Sequence, residues 1–409
     1  MRNIVIIGIL LMTIPLFGVT LDECLEQFSN NHQIPQKLEL LQQSEGEIKF
    51  LALKEWFPKL AFSANYLWSA NTMKVGPQEV EHDKTLLELT LTQPIYTGNG
   101  IALQKEIEIL NNHIQQNRLE DAVFQTKKII YSLYFNVLFI EKKKAITELS
   151  LANYQETQSY IQIRLDGGKA TNLDSLIMAN MILSQQETLL KLERSKQEII
   201  AQLNEILQSN ISNEETFVLP DELTLQENQI SRQELARFSL FDNLYEQQKK
   251  LNYSQLLPKL NAFAKGNYGN PNYNMYQNEW EENVEVGLVF NWSFWNWGKE
   301  RGRNRILAKQ KDINQLDKEL FLSQVNNELT GIKSVISQIE SSLSIKEQQI
   351  EITQEITNIF EQSYKLGKSD ILAYSDKLTE YRQLQENLTL LHIELLFNKY
   401  MYNFTLGEF

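Results

Sequence analysis

Cysteine is almost missing from this chain: Cys24 stands alone in 409 residues, so no disulfide can form within it. Histidine is nearly as scarce. His32, His82, His113 and His392 are scattered singly, none with a second ligand at metal spacing, and no metal site is expected. Positive charge is in deficit, with 39 Lys and Arg against 52 Asp and Glu and a formal net charge of −13. That balance argues against a nucleic-acid partner, which would want a basic face. A phosphate-binding loop is missing too, because Gly98-Asn99-Gly100 lacks the downstream glycine and lysine of a P-loop. Spacing suggests no Ser/His/Asp or Cys/His set. The chain therefore reads as a non-enzyme without a cofactor. Beyond the N-terminus there is no long hydrophobic run. The best, Ile129 to Ile140, has 12 residues and contains Asn136, well short of the ~20 that a spanning helix needs. A membrane role would have to use strands closed into a barrel.

What is present starts with an export signal. Met1-Arg2 is a short positive region, Ile4 to Phe17 is apolar, and Gly18 offers a small residue for cleavage. Residues 1–18 read as a signal peptide; the rival reading is an N-terminal anchor, for which the run is short. Cys24 follows Leu21-Asp22-Glu23, a poor match to the small residues that precede a lipid-bearing cysteine, and is expected on the first mature helix.

The rest of the chain says one thing twice. Gln93-Pro94-Ile95-Tyr96-Thr97-Gly98-Asn99 is answered by Trp292-Ser293-Phe294-Trp295-Asn296-Trp297-Gly298, and Leu165-Asp166-Gly167-Gly168-Lys169 by Tyr364-Lys365-Leu366-Gly367-Lys368. Leu207-Gln208 is answered by Leu406-Gly407, and all three pairs share an offset of 199. A long repeat of this kind controls the fold reading. The first copy spans residues 19–208 and the second 231–409, joined by a connecting segment, 209–230.

Each copy opens on a capping pattern, Thr20-Leu21-Asp22-Glu23 and Ser231-Arg232-Gln233-Glu234. The helix that follows reaches Pro58 or Pro258, and the second is about three turns shorter. An interruption is expected at Asn31 to Pro35. Strand-like alternation comes next: Leu60, Phe62, Ala64, Tyr66 and Trp68 share one face, then Leu87, Leu89 and Leu91, with Pro94 closing the second strand. Val284, Val286, Leu288, Phe290 and Trp292 repeat the pattern. The aromatics Trp68, Tyr96, Trp292 and Trp295 near strand ends suit a membrane interface, although aromatics are common in ordinary strands. Gly100 to Asp166 then runs 67 residues without proline or a further glycine. One continuous helix of that length would be roughly 100 Å long and needs long partners to cover its apolar face. Gly167-Gly168 reverses it into a return helix from about Thr171 to Leu207. Gln208 stands where Gly407 stands, so the first return helix is expected to run on toward Ile211. The fold class is mixed α and β, mainly α: two β-hairpins and two long antiparallel helical hairpins.

These residues resemble the TolC-like outer-membrane efflux family, over essentially the whole mature chain. The likeness rests on Thr20-Leu21-Asp22-Glu23, Phe57-Pro58-Lys59-Leu60, Gln93-Pro94-Ile95-Tyr96, Leu366-Gly367-Lys368 and Leu406-Gly407, in their order and duplication. The resemblance implies a homotrimer whose strands build one twelve-stranded barrel in outer-membrane lipid and whose helices build a periplasmic α-barrel. It implies a passive exit duct of a tripartite efflux or type I secretion system. The partners would be a periplasmic adaptor and an inner-membrane pump of the RND or ABC type. The turn residues Gly167, Gly168, Lys169, Gly367 and Lys368 would mark the periplasmic tip. Family carboxylates six and nine residues past the turn glycine would narrow the entrance. Here Ala373 and Asp376 fill those places in the second copy, Asp174 lies six past Gly168, and Asp370 three past Gly367. Asp174, Asp370 and Asp376 are therefore the candidate constriction; as plain helix-start residues they would instead be caps. The other functional reading is a periplasmic or surface structural coiled-coil protein without channel activity.

Overall fold

The computed structural model describes residues 18–30, 33–71, 74–75, 78–79, 82–168, 170–226, 229–272, 279–369 and 371–407. The expected signal peptide, Lys169 and Asp370 lie outside the described residues. In chain order the elements are α1 (Leu21–Ser29), α2 (Gln33–Lys54), β1 (Lys59–Trp68), β2 (Lys74–Val75), β3 (Gln78–Glu79), β4 (Asp83–Tyr96), α3 (Gly100–Asp166) and α4 (Asn172–Leu207). Then follow α5 (Glu234–Ser254), β5 (Lys259–Asn270), β6 (Glu281–Asn291), α6 (Lys299–Lys365) and α7 (Ile371–Leu406).

The repeat is built into the backbone. α3 and α6 each have 67 residues, α4 and α7 each 36. Left-handed residues fall in pairs at the same offset: Gly98 with Trp297, Asn99 with Gly298, Gly168 with Gly367, and Gln208 with Gly407. Four expectations need correction. Gln208 does not extend α4; it adopts φ 52° and ends the helix at Leu207. A non-glycine residue is tolerated there because Asn204 holds the turn, its Oδ1 accepting from Ile211 N (2.7 Å) and Ser209 Oγ (2.9 Å). Ser231 is not an N-cap. α5 begins at Glu234 without a side-chain cap, because Ser231 N donates to Leu406 O at the end of α7 (2.7 Å). Pro94 does not close β4; the ladder continues to Tyr96 through a register shift that accommodates the missing N–H. Finally, the second copy is shorter before its proline, as expected, but not within one helix: α2 and α5 have 22 and 21 residues, and among the described residues it is the nine-residue α1 that has no counterpart in the second copy.

The chain divides into two compact units. The first takes residues up to Pro35, Ala122–Arg232 and Ser323 onward. Its core gathers Tyr131, Tyr134 and Phe135 of α3, Leu203 of α4 and Phe404 of α7, all essentially buried. Thr20 caps α1 as expected, with Glu23 returning the bond to the Thr20 backbone. Val19 bridges to Phe217 in parallel, and Tyr134 Oη reaches Val19 O and Val218 O. A buried pair, Lys196 Nζ to Glu141 Oε1 at 2.8 Å, fastens the same strap: Lys196 donates to Glu215 O (2.9 Å), and Glu141 accepts from Phe217 N (3.2 Å).

The second unit, Gln36–Asp121 and Gln233–Leu322, holds the sheet. Its order is β1-β4-β5-β6, all antiparallel. β2 and β3 form a separate two-stranded ribbon. Side-chain alternation puts Leu60, Phe62, Leu89, Val284, Val286 and Leu288 on one face, all exposed. The other face carries Ser63, Glu88, Thr90, Lys265, Asn267, Asn283 and Glu285. Asn112 of α3 donates to Leu41 O of α2, and Asn314 of α6 to Phe238 O of α5. These bonds seat each short helix beside a long one.

Candidate functional site

Two helix reversals carry the residues singled out above. Between α3 and α4, Gly167 N donates to Ile163 O (3.2 Å) and Gly168 N to Leu165 O (3.0 Å), with Gly168 at φ 64°. Between α6 and α7, Gly367 N donates to Tyr364 O (3.0 Å) and Lys368 N to Ser363 O (2.8 Å), with Gly367 at φ 71°. A left-handed residue at this place is what glycine permits and a side chain resists.

The structure brings the two reversals together. Arg164 Nη1 donates to Tyr364 O across them (3.0 Å), and its guanidinium lies over the Tyr364 ring at 4.7 Å. Tyr364 stacks on Tyr374 and meets Tyr160 edge-on, both at 6.0 Å. Ile161, Met178, Ile371 and Leu378 fill the space beneath. Burial pushes the Tyr364 phenol above its ordinary range, while Arg164 opposes the shift and nearby Asp174 adds to it. None of these aromatic or guanidinium contacts was foreseen from spacing; Arg164 and Tyr364 lie three residues before their turn glycines, Gly167 and Gly367.

The candidate acids have different surroundings. Asp174 closes a capping box, accepting from Thr171 N (2.8 Å) while its own N–H donates to Thr171 Oγ1 (3.2 Å). Asp376 is exposed on α7. Among the described residues no group of His, Cys, Asp or Glu could hold a metal ion.

At the sheet, the polar face forms its own network. Lys265 Nζ meets Glu88 Oε2 at 2.5 Å. Glu285 Oε1 accepts from Asn283 (3.1 Å) and Asn267 (3.5 Å). Charged and amide groups on one face and bare aliphatic groups on the other fit a wall between water and hydrocarbon. Among the described residues no helix is long and apolar enough to cross a membrane.

The model of the outer membrane efflux protein family matches residues 28–208 and 224–394. Among solved structures, CusC aligns with a TM-score of 0.76 at 13% identity, over 95% of this chain and 93% of its own. VceC, an outer membrane protein of Vibrio cholerae, gives 0.70 at 13% identity, covering 95% and 96%. The CmeC outer membrane channel of Campylobacter jejuni gives 0.70 at 11% identity, covering 95% and 85%. At such identities the likeness is one of fold. No match is found among curated protein sequences. With its two-faced sheet and paired helical hairpins, the chain belongs to the outer membrane efflux protein family, with its strands in the outer membrane and its helical part in the periplasm.

Proposed function

We propose that three copies of this chain form a passive exit duct, the outer-membrane part of a tripartite efflux or type I secretion system. Residues 1–18 would be removed as a leader. Each repeat, 19–208 and 231–409, would then supply one β-hairpin and one long helical hairpin, with 209–230 as an equatorial connection. The observation that supports this best is the sheet. Its apolar face leaves Val284 and Val286 more than three-quarters exposed (76% and 78%), with charged residues on the reverse. A water-soluble protein rarely leaves a patch of that kind bare. The helices point the same way. Leu176, Leu183 and Leu190 of α4 and Ile345, Ile352 and Ile359 of α6 recur every seven residues and are exposed. That spacing makes coiled-coil seams, here toward other copies.

In this reading the reversals at Gly167-Gly168-Lys169 and Gly367-Lys368 form the periplasmic tip. The tip meets an adaptor and, through it, an RND or ABC transporter that supplies the energy. Asp376 is placed as the main constriction residue, with Asp370 beside the same turn. Asp174 acts through its cap as well as its charge. Threefold repetition of a carboxylate at a narrow point attracts cations. Recordings in planar bilayers test this: Asp376→Ala is expected to lower cation selectivity or raise conductance. Unchanged selectivity and conductance would leave Asp376 a surface residue. The structural coiled-coil reading demands that the mature protein partition into the soluble fraction without detergent, and that outcome would defeat the duct.

A further inference from the structure

The two β-hairpins are superimposable in register. Adding 200 to a β1 number and 199 to a β4 number turns the pair Lys59–Thr92 into Lys259–Asn291, which is the observed pairing of β5 with β6. The elbows leading into them obey the same rule. Trp56 N donates to Leu53 O and Phe57 N to Lys54 O; Leu256 N donates to Tyr253 O and Leu257 N to Ser254 O. Each elbow also receives the end of its own hairpin, Gln93 Nε2 on Trp56 O (2.7 Å) and Trp292 Nε1 on Leu256 O (3.0 Å).

Within the chain, the turn leaving the first hairpin is seated against the second elbow. Gly98, at φ 64°, comes so close that an added Cβ would lie 2.8 Å from Ser254 O and 3.0 Å from Leu257 Cβ. The turn leaving the second hairpin has the same backbone but no such seat. In place of Gly98 it has Trp297, held at φ 60° and 89% exposed. A bulky residue in the left-handed region is strained, and such strain is kept where surroundings or function require it. Trp295 meets Trp297 edge-to-face at 5.9 Å, so two indoles stand together. At the opposite edge of the sheet, and at the same end of the strands, the first elbow leaves Trp56 and Phe57 exposed (40% and 53%).

We propose that the missing seat is the first elbow of a second copy of this chain. Trp297, with Trp295, would clasp Phe57 and Trp56 of the next copy where β6 meets its β1. The inference rests on three copies closing one barrel, and it adds the register and the residues of that closure. Applying the same offsets to the observed β4–β5 ladder predicts it. Leu89–Gly266 becomes Leu288 opposite Tyr66 of the next copy, and Leu91–Ala264 becomes Phe290 opposite its Ala64. Both pairs fall on the apolar face, as a correct register requires. The junction between copies is not a replica of the internal one. An indole cannot enter the gap that Gly98 leaves, so the rings must lie over the elbow and hold it wider.

Cross-linking of the full chain in membranes tests the register. Leu288→Cys with Tyr66→Cys is expected to give covalent trimers on non-reducing gels. Leu288→Cys with Ala64→Cys, shifted by two residues, is expected to remain monomeric. Trp297→Ala and Phe57→Ala test the clasp. Each is expected to speed trimer dissociation, and together they should cost roughly two- to tenfold less than the product of the single effects, the range for one aromatic pair. Trimers that cross-link only at the shifted register would overturn the proposed pairing. Multiplicative Trp297 and Phe57 effects, with Trp297 emission quenched by brominated lipid, would assign the indole to lipid and overturn the clasp. A wild-type chain that is monomeric in mild detergent would instead sink the trimer reading itself.

Discussion

Lys196→Met is the sharpest perturbation that the first unit offers. Lys196 is buried, and its ammonium serves two partners, the Glu141 carboxylate at 2.8 Å and Glu215 O at 2.9 Å. Removing it leaves the Glu141 carboxylate, only 18% exposed, with its bond from the Phe217 N–H but without its cation. Breaking one partner of a buried pair costs about 3–5 kcal/mol, because the other charge is left without compensation. The strap of Glu215 to Val218 is the part that opens, since both partners bond to it. At about 1.4 kcal/mol per tenfold, its open population should rise by roughly two to three and a half orders of magnitude. Native-state proteolysis in detergent reads that population when reclosing outpaces cleavage. A Glu-specific protease should cut at Glu214 or Glu215 far faster in Lys196→Met than in wild type. Adding Glu141→Leu removes the stranded charge and should recover most of the protection, leaving about 1–2 kcal/mol for the lost bond to Phe217 N. Cleavage of the single variant within threefold of wild type would refute the reasoning, as would a double variant cut as fast as the single.

Two further predictions concern the same unit. Gln208→Gly should raise the thermal midpoint, a gain of about 1 kcal/mol, by relieving a side chain at φ 52°; a lowered midpoint would show that the Gln208 side chain contributes more than its backbone costs. Burial pushes the Cys24 thiol up to about 12, so maleimide should label it only after denaturation. Because the folded value lies above the unfolded one, this contribution to stability is complete below the unfolded pKa and fades as pH rises toward 12. Rapid native labelling at neutral pH would contradict that. Processing before Cys24 for lipidation would also cut away Val19 and Thr20, which anchor the Phe217 bridge and the α1 cap.

Legibility followed the range of the forces involved. The Thr20 capping box, the alternation of β1 and the uninterrupted run of α3 are local, and periodicity reveals them directly. So is the duplication, because equal spacing survives in sequence even where residue identity does not. The misreadings came from tertiary bonds that override a local pattern. Ser231 has the letters of a cap, but its backbone is engaged by Leu406. Gln208 ends a helix only because Asn204, four residues back and again through space, satisfies the turn. The Arg164–Tyr364 contact joins residues 200 apart in the chain, and no periodicity could have paired them. Asp174 and Asp376 are candidates reached by counting from glycine. Counting fixes position along a helix, whereas a side chain's orientation depends on neighbours.

The open sheet has a kinetic consequence. Among the described residues the sheet has two open edges, β1 and β6, and in the proposed barrel their backbone groups are satisfied by another copy. Such edges are templates for indiscriminate pairing. If that assembly forms, the last step of folding is an encounter between molecules, and its speed depends on concentration where the rest does not. Export that outpaces this encounter should lead to aggregates, and a strained Trp297 at the edge, at ease only beside its proper neighbour, would favour the correct ending over the others.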